Sequence, residues 1–518
     1  MNLTQPLQRA LACRPNAIAT IFGERRQTFR QFGDRVARLA GALQAMGLQP
    51  GDRVGMLALN SDRYLEYFMA VPWAGCVLNA VNIRWNATEI ACSLDDCNTR
   101  VLIVDDMFAP LIPELRQRSK SLQTVIYAGE KDALPDAISF ESMIENAAPV
   151  PDAMRTGSDL AAVCYTGGIT GFPKGVMLAH AGLAVNALSL VAEGALREGT
   201  VSLITLPLFH IAGQLMLNAA WVVGATHVIV PGFAPLAVLR AVQEHRVVTA
   251  SFVPTMVQAM VDHPDLPAYD LTTLKSICYG GSPLSEAVLE RTLRALPGVA
   301  LFQVYGMTEL SPIATILRPE LHTLGPESRG RIRSGGRPGL CAEVRIVDTD
   351  DNEVGRGKIG EIAVRGAGVM QGYWGKEDAT REALRNGWMH SGDAGYMDHD
   401  GFVFVVDRLK DMIVTGGENV YSAEVEQALA HHPAVAACAV IGVPDFEWGQ
   451  RVHAVVVLKA GQQTTADDIR EHCRTYIAAY KCPRSVEFMA ALPLSGAGRV
   501  LKNRLREAHW AGRERGVA

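Results

Sequence analysis

Between residues 160 and 305 the chain alternates short apolar runs with amphipathic stretches, and this alternation limits the fold more than any other feature. Residues 160–166, 201–206, 226–230, 248–252, 274–279 and 300–305 read as strands, and 181–196, 235–245 and 285–296 as helices. Strands separated by helices need crossover connections, which make a sheet largely parallel and gather ligand-binding loops at the strand C-termini. After about residue 334 the pattern changes to short strands with Gly and Asp turns, at 342–348, 360–365 and 402–407. The tail beyond has mixed α and β character and enough length for a core of its own. The expected fold class is α/β. A large N-terminal domain, residues 1–409, would carry mixed, largely parallel sheets and a β-rich subdomain, and a small α+β C-terminal domain would span 410–518. A chain of 518 residues is too long for one compact core, which agrees with that division.

Charge and cysteine usage exclude several classes. A formal charge of -5 argues against a general nucleic-acid binder, which needs an excess of Lys and Arg. The ten cysteines are scattered, with no CxxC pair and no Cys/His cluster at zinc spacing, as in reduced cytoplasmic proteins. Residues 1–23 lack the basic start and unbroken apolar stretch of a signal peptide. Residues 199–239 contain no formally charged side chain, yet Pro207, His210, Gln214, Asn218 and His227 interrupt them, so a buried α/β core is expected and not a transmembrane span.

The run 160–166 leads straight into Tyr165-Thr166-Gly167-Gly168-Ile169-Thr170-Gly171-Phe172-Pro173-Lys174-Gly175. Glycines let backbone N–H groups crowd around an anion, Lys174 adds a charge, and Thr166 and Thr170 can donate hydroxyl hydrogen bonds to phosphate. It is no Walker A loop, because Pro173 stands where that pattern needs Gly and Gly175 follows the lysine. Taken alone, such a stretch is either a phosphate cradle or a surface turn.

The loop resembles the phosphate-binding signature of the adenylate-forming superfamily of acyl-CoA synthetases, peptide-synthetase adenylation domains and luciferases. It departs from that signature at Gly167 (usually Ser) and Ile169 (usually Thr), and Ile169 removes one hydroxyl. Further motifs follow in family order. In Tyr305-Gly306-Met307-Thr308-Glu309 the resemblance implies that Tyr305 packs on adenine, Thr308 contacts the α-phosphate, Glu309 holds Mg2+ and Met307 borders the acyl group. Gly280-Gly281-Ser282 would line the acyl and adenine pockets. Asp393, in Ser391-Gly392-Asp393, would accept from the ribose hydroxyls, and Arg408 would reach the same ribose. Lys410 matches the hinge about which the small domain turns. His210 is either a core histidine or a border of the acyl pocket. On the CoA side, Gly416 and Gly417 resemble the pantetheine tunnel and Trp448 an aromatic residue near the CoA nucleotide. Arg84, Tyr480, Lys481 and Arg484 are read as either members of that nucleotide site or solubilising surface residues.

The family signature near the C-terminus carries a lysine where this chain has Arg499, in Gly496-Ala497-Gly498-Arg499-Val500-Leu501-Lys502. A planar guanidinium is not equivalent to an ammonium point charge. Three outcomes stay open: Arg499 substitutes, Lys502 shifts in, or adenylation is crippled while the second step survives. The resemblance implies an AMP-forming acid–thiol ligase using ATP, Mg2+ and coenzyme A, with a catalytically impaired nucleotide or acyl-CoA binder as the alternative. No pantetheinyl carrier domain is recognisable. The apolar or small residues at 206–224 and 280–282 favour a fatty acid, with aryl acids next. Quaternary state is open, a homodimer included.

Overall fold

The computed structural model describes residues 2–131, 134–166, 173–323, 325, 330–494 and 500–510. Its chain forms two compact units, residues 1–344 with 364–389 and residues 345–363 with 390–518. Lys410, the expected hinge, lies inside the second of these.

The first unit holds two large sheets. One has nine strands, and its centre runs Ala300–Tyr305, Ser276–Gly280, Thr249–Phe252, Val201–Ile204, Thr226–Ile229 and Ile18–Phe22, all parallel. Helices cover both faces. Leu203, Val228, Ala250, Ile277 and Leu301 pack against Val238, Leu239 and Val242 of the helix Pro235–His245 and Val288 and Leu289 of Glu286–Ala295. On the opposite face Cys278, Phe302 and Ile316 meet Leu190 of His180–Ala192 and Leu215, Met216 and Ala219 of Ile211–Val222. Burial on both faces explains why these strands are almost wholly apolar. The uncharged stretch 199–239 supplies two strands and one complete helix of this layer. Among the described residues no helix is long and apolar enough to cross a membrane.

The second sheet has eight strands. Its parallel core, Leu160–Thr166, Val77–Ala80, Arg53–Leu57, Val101–Val104, Thr124–Tyr127 and Ile138–Ser139, is drawn largely from the N-terminal third of the chain. The strand reading began at residue 160, so it covered Leu160–Thr166 and not the five strands before it. Lys174–Ala179 pairs antiparallel with Leu160–Thr166, and the short strand Gly372–Tyr373 adds to its outer edge.

The sheet of Ala342–Val347, Gly360–Gly366, Met389–Met397 and Val403–Arg408 is the expected β-rich part; residues 345–347, 360–363, 390–397 and 403–408 of it fall in the second unit and the rest in the first. A five-stranded sheet follows, centred on the antiparallel pair Val435–Asp445 and Gly449–Leu458. Its faces carry the helices Ser422–Ala430, Ala466–Arg474 and Lys502–Trp510.

Candidate active site

In the first unit the nine-stranded sheet sets one wall, through its parallel centre. Gly280 ends its strand beside Val304, two strands' C-termini therefore lie side by side, and Tyr305 ends the next. The loops at 205–210, 280–282 and 305–308 all leave this same edge. A Cβ at Gly280 would stand 2.6 Å from the Val304 carbonyl oxygen, and one at Gly306 would overlap the Pro312 carbonyl oxygen, so both turns need glycine. Gly281 has φ +88°, and Ser282 is exposed. Tyr305, Met307 and Thr308 are half-buried. Glu309, in the 3-10 turn Thr308–Leu310, is buried at 6 % exposure. His210 caps the helix Ile211–Val222, its Nδ1 accepting from the Ala212 N–H at 3.2 Å.

The other wall is the hairpin of the eight-stranded sheet. Thr166 ends one strand and Lys174 opens its return, the two residues being register partners. Gly167, Gly168, Thr170 and Gly171 lie outside the described residues. Lys174 Nζ sits 4.9 Å from the ring centroid of Tyr373, a cation–π distance. The same phenol donates to Glu309 Oε1 at 2.9 Å. Burial, then the negative charge of Glu309, pushes the Tyr373 pKa far above its ordinary value, so the hydroxyl keeps its proton as a donor. One tyrosine thus lies between the loop lysine and the buried carboxylate. Tyr373 is held by the edge pairing Tyr373↔Val176. Reading the sequence missed it, and the adjacent Gly372-Tyr373 offers no spacing that links it to either partner. Arg84 is exposed in the turn between Val77–Ala80 and the helix Ala87–Asp96, its backbone N–H donating to Asn82.

The second unit carries the remaining expected residues. Asp393, 4 % exposed, and Arg408 are register partners on adjacent strands, with Nε and Oδ1 at 2.7 Å. Asp407 accepts from the Ser422 N–H and hydroxyl, each at 2.5 Å, and so caps the N-terminus of the helix Ser422–Ala430. Lys410 is exposed in the turn Leu409–Asp411 that follows. Asp411 is paired with Arg506 at 2.7 Å.

Gly416 and Gly417 have φ +59° and +82°, and a Cβ at Gly416 would lie 2.5 Å from the Trp448 indole. The Arg484 guanidinium stacks 4.2 Å from the same ring, so Gly416, Trp448 and Arg484 form one assembly. Lys481 is held by both Glu424 oxygens at 2.7 and 2.9 Å, with Tyr480 exposed beside it. Arg499 lies outside the described residues. Lys502 is committed elsewhere, to Ser422 Oγ at 2.6 Å and Glu426 Oε1 at 2.8 Å.

Residues 7–374 match the model of the AMP-binding enzyme family, and residues 424–499 that of the AMP-binding enzyme C-terminal domain. The chain therefore belongs to the adenylate-forming superfamily, in its acyl-CoA synthetase branch, and is an AMP-forming acid–thiol ligase. It is 40 % identical over 502 residues to a feruloyl-CoA synthase of Amycolatopsis sp, covering 97 % of each chain. It is 36 % identical to the fatty acid–[acyl-carrier-protein] ligase ScoC of Streptomyces coeruleorubidus, covering 97 % of this chain and 95 % of that one. Among solved structures, the anthranilate CoA ligase AuaEII in complex with anthranoyl-AMP superposes with a TM-score of 0.88 at 29 % identity, over 98 % of this chain and 97 % of that one.

Proposed function

We propose that this ligase activates an aromatic carboxylic acid on MgATP and passes the acyl group to coenzyme A, with fatty acids as the competing substrate class. The observation that carries the chemistry is the array Lys174–Tyr373–Glu309, a cation and a buried carboxylate braced by one phenol. The aryl preference is supported by the 40 % identity to a feruloyl-CoA synthase and the fold likeness to an anthranilate CoA ligase.

In the first half-reaction a carboxylate oxygen attacks the α-phosphorus and pyrophosphate leaves. Backbone N–H groups of residues 166–175, with Lys174, hold the triphosphate, while Thr308 meets the α-phosphate. Glu309 and the Thr308 hydroxyl are hard oxygen donors suited to Mg2+, which would neutralise charge on the triphosphate. Glu309 is buried at 6 % exposure, and a carboxylate offers about four acceptor sites, one of which takes the Tyr373 hydroxyl. Asp393 and Arg408 take the ribose, and Arg499 bridges carboxylate and phosphate. The protein supplies no nucleophile; its contribution is orientation and electrostatics. In the second half-reaction the CoA sulfur attacks the acyl carbon, the C–O bond to phosphate breaks, and AMP departs. Residues 410–518 turn about Lys410 between the steps, a reading supported by two family models that match on either side of that position. Gly416 and Gly417 then flank the pantetheine, and Trp448 with Arg484 meets the CoA nucleotide.

The test is incubation of the full chain with ATP, CoA and a panel of hydroxycinnamic, benzoic, indolic and fatty acids. Acid-dependent AMP release with equal thioester supports the proposal, and an aryl acid should give the highest kcat/KM. Nucleotide binding without turnover on any acid would instead identify an impaired homologue.

A further inference from the structure

The second unit brings together three metal-ligating side chains that the ligase reaction does not use. His453 lies on the strand Gly449–Leu458, Glu487 on the edge strand Ser485–Phe488, and His509 on the helix Lys502–Trp510. The two strands pair in parallel with His453 opposite Ser485 and Val455 opposite Glu487. Residues 453 and 455 share a face of the strand, so His453 and Glu487 rise on the same side of the sheet. That side is where Leu505 of the helix packs on Val455, Ala439 and Ile441. The helix therefore delivers His509 to the same spot, its ring centroid 4.9 Å from that of His453.

The geometry is that of a ligand set. His453 Nε2 is 3.5 Å and His509 Nε2 3.9 Å from Glu487 Oε2, and one ligand atom from each residue lies within 4.8 Å of the others. Tetrahedral zinc, with bonds of about 2.0–2.2 Å, places its ligands about 3.3–3.6 Å apart. Small rotations of Glu487 and His509, which keep 48 % and 31 % side-chain exposure, close the difference.

His453 itself is only 6 % exposed, and its Nε2 is buried with no hydrogen-bond partner, a costly arrangement that native proteins seldom keep without a ligand. Its other nitrogen, Nδ1, is 2.8 Å from the Ser485 hydroxyl. A proton on Nδ1, donated to that oxygen, leaves the Nε2 lone pair directed at the cluster, as an outer partner does for metal-bound histidine. Arg451, the nearby cation on the same strand face, stands 3.7 Å from Asp445, which offsets its charge.

We propose that His453, Glu487 and His509 form a site for a zinc-class divalent cation that clamps the C-terminal helix to the sheet. Two imidazoles and one carboxylate suit zinc, cobalt or nickel better than magnesium or calcium, which prefer all-oxygen ligands. Water completes the coordination sphere. The clamped helix also carries Lys502 on Glu426 and Arg506 on Asp411, so the ion would steady the segment that follows residue 499.

Full-length protein stripped with a chelator is titrated with Zn2+ against a chromophoric competitor, and with Co2+ followed by visible absorption. One equivalent should bind, Co2+ should give the intense band of a four-coordinate site, and the melting temperature should rise. His509→Ala and Glu487→Gln, at partly exposed positions, should abolish all three responses while keeping the acid-dependent AMP release of the metal-free protein. Ser485→Ala should weaken binding by about 10–100-fold. Equal stoichiometry and affinity in His509→Ala, or a wild-type protein that competes for no Zn2+ at equimolar concentration, would overturn the proposal. Neither result would touch the ligase assignment, which is read on AMP release.

Discussion

Replacing Tyr373 with Phe isolates one hydrogen bond of the first unit. The ring remains, so Lys174 keeps its aromatic partner, but the donor to Glu309 disappears. A bond of 2.9 Å to a carboxylate on a residue only 6 % exposed belongs to the charged class, worth about 1.5–3 kcal/mol. Expressed wholly in the transition state, that loss lowers the rate by about 10–150-fold, since about 1.4 kcal/mol is a factor of ten. The phenol aims the carboxylate, so the deficit should be largest at low Mg2+ and partly recovered as Mg2+ is raised. ATP–pyrophosphate exchange over a Mg2+ series measures this directly, because it reports the first half-reaction alone. Tyr373→Leu, which also removes the ring under Lys174, should raise the KM for ATP as well. Exchange by Tyr373→Phe within about twofold of wild type at every Mg2+ concentration would refute the bracing role.

Arg499→Lys should raise ATP–pyrophosphate exchange by more than about tenfold, because a point charge fits between carboxylate and phosphate better than a planar fork; no gain would remove the argument from the missing lysine. Gly416→Ala puts a methyl group 2.5 Å from the Trp448 ring at a φ of +59°, so thioester formation should fall by more than about tenfold while pyrophosphate exchange is retained. Acid should destabilise the fold through three buried histidines. Burial lowers His227 from 6.5 to about 3, and lowers His180 and His322 from 6.5 to about 4. Each is neutral in the folded chain and protonated in the unfolded one between those values. Stability is therefore full above pH 6.5 and falls as pH drops toward 3–4, at up to about 1.4 kcal/mol per pH unit for each histidine. Neither ring nitrogen of His227 has a hydrogen-bond partner, so His227→Leu should flatten the acid limb of a melting-temperature profile by about one such increment without loss at neutral pH. An unchanged acid limb would show that His227 does not take part.

Local patterning was enough to place much of the first unit. The expected strand at 300–305 and helix at 235–245 are Ala300–Tyr305 and Pro235–His245, and the strand expected at 274–279 starts two residues later. These elements are legible because burial on both faces leaves unbroken apolar runs between amphipathic helices, a contrast that survives in one dimension. The motifs Tyr305–Glu309 and Gly280–Ser282 were legible for the same reason, since each directly follows such a run. The strands Arg53–Leu57, Val77–Ala80 and Val101–Val104 of the other sheet lay outside the strand reading, which began at residue 160.

The sequence by itself determined which chemistry the chain can attempt: a glycine-rich stretch ending in Lys174, a carboxylate at Glu309 and an arginine at 499. Only the tertiary structure decided how Lys174 and Glu309 are braced. Tyr373 lies far along the chain from Lys174 and reaches it through an edge-strand pairing. His509 joins His453 and Glu487 because a helix packs on one sheet face, and Lys502 is occupied because Glu426 and Ser422 lie beneath it. Sheet pairing and helix docking are set by the summed burial of many apolar side chains, so no spacing between two residues announces that they will meet.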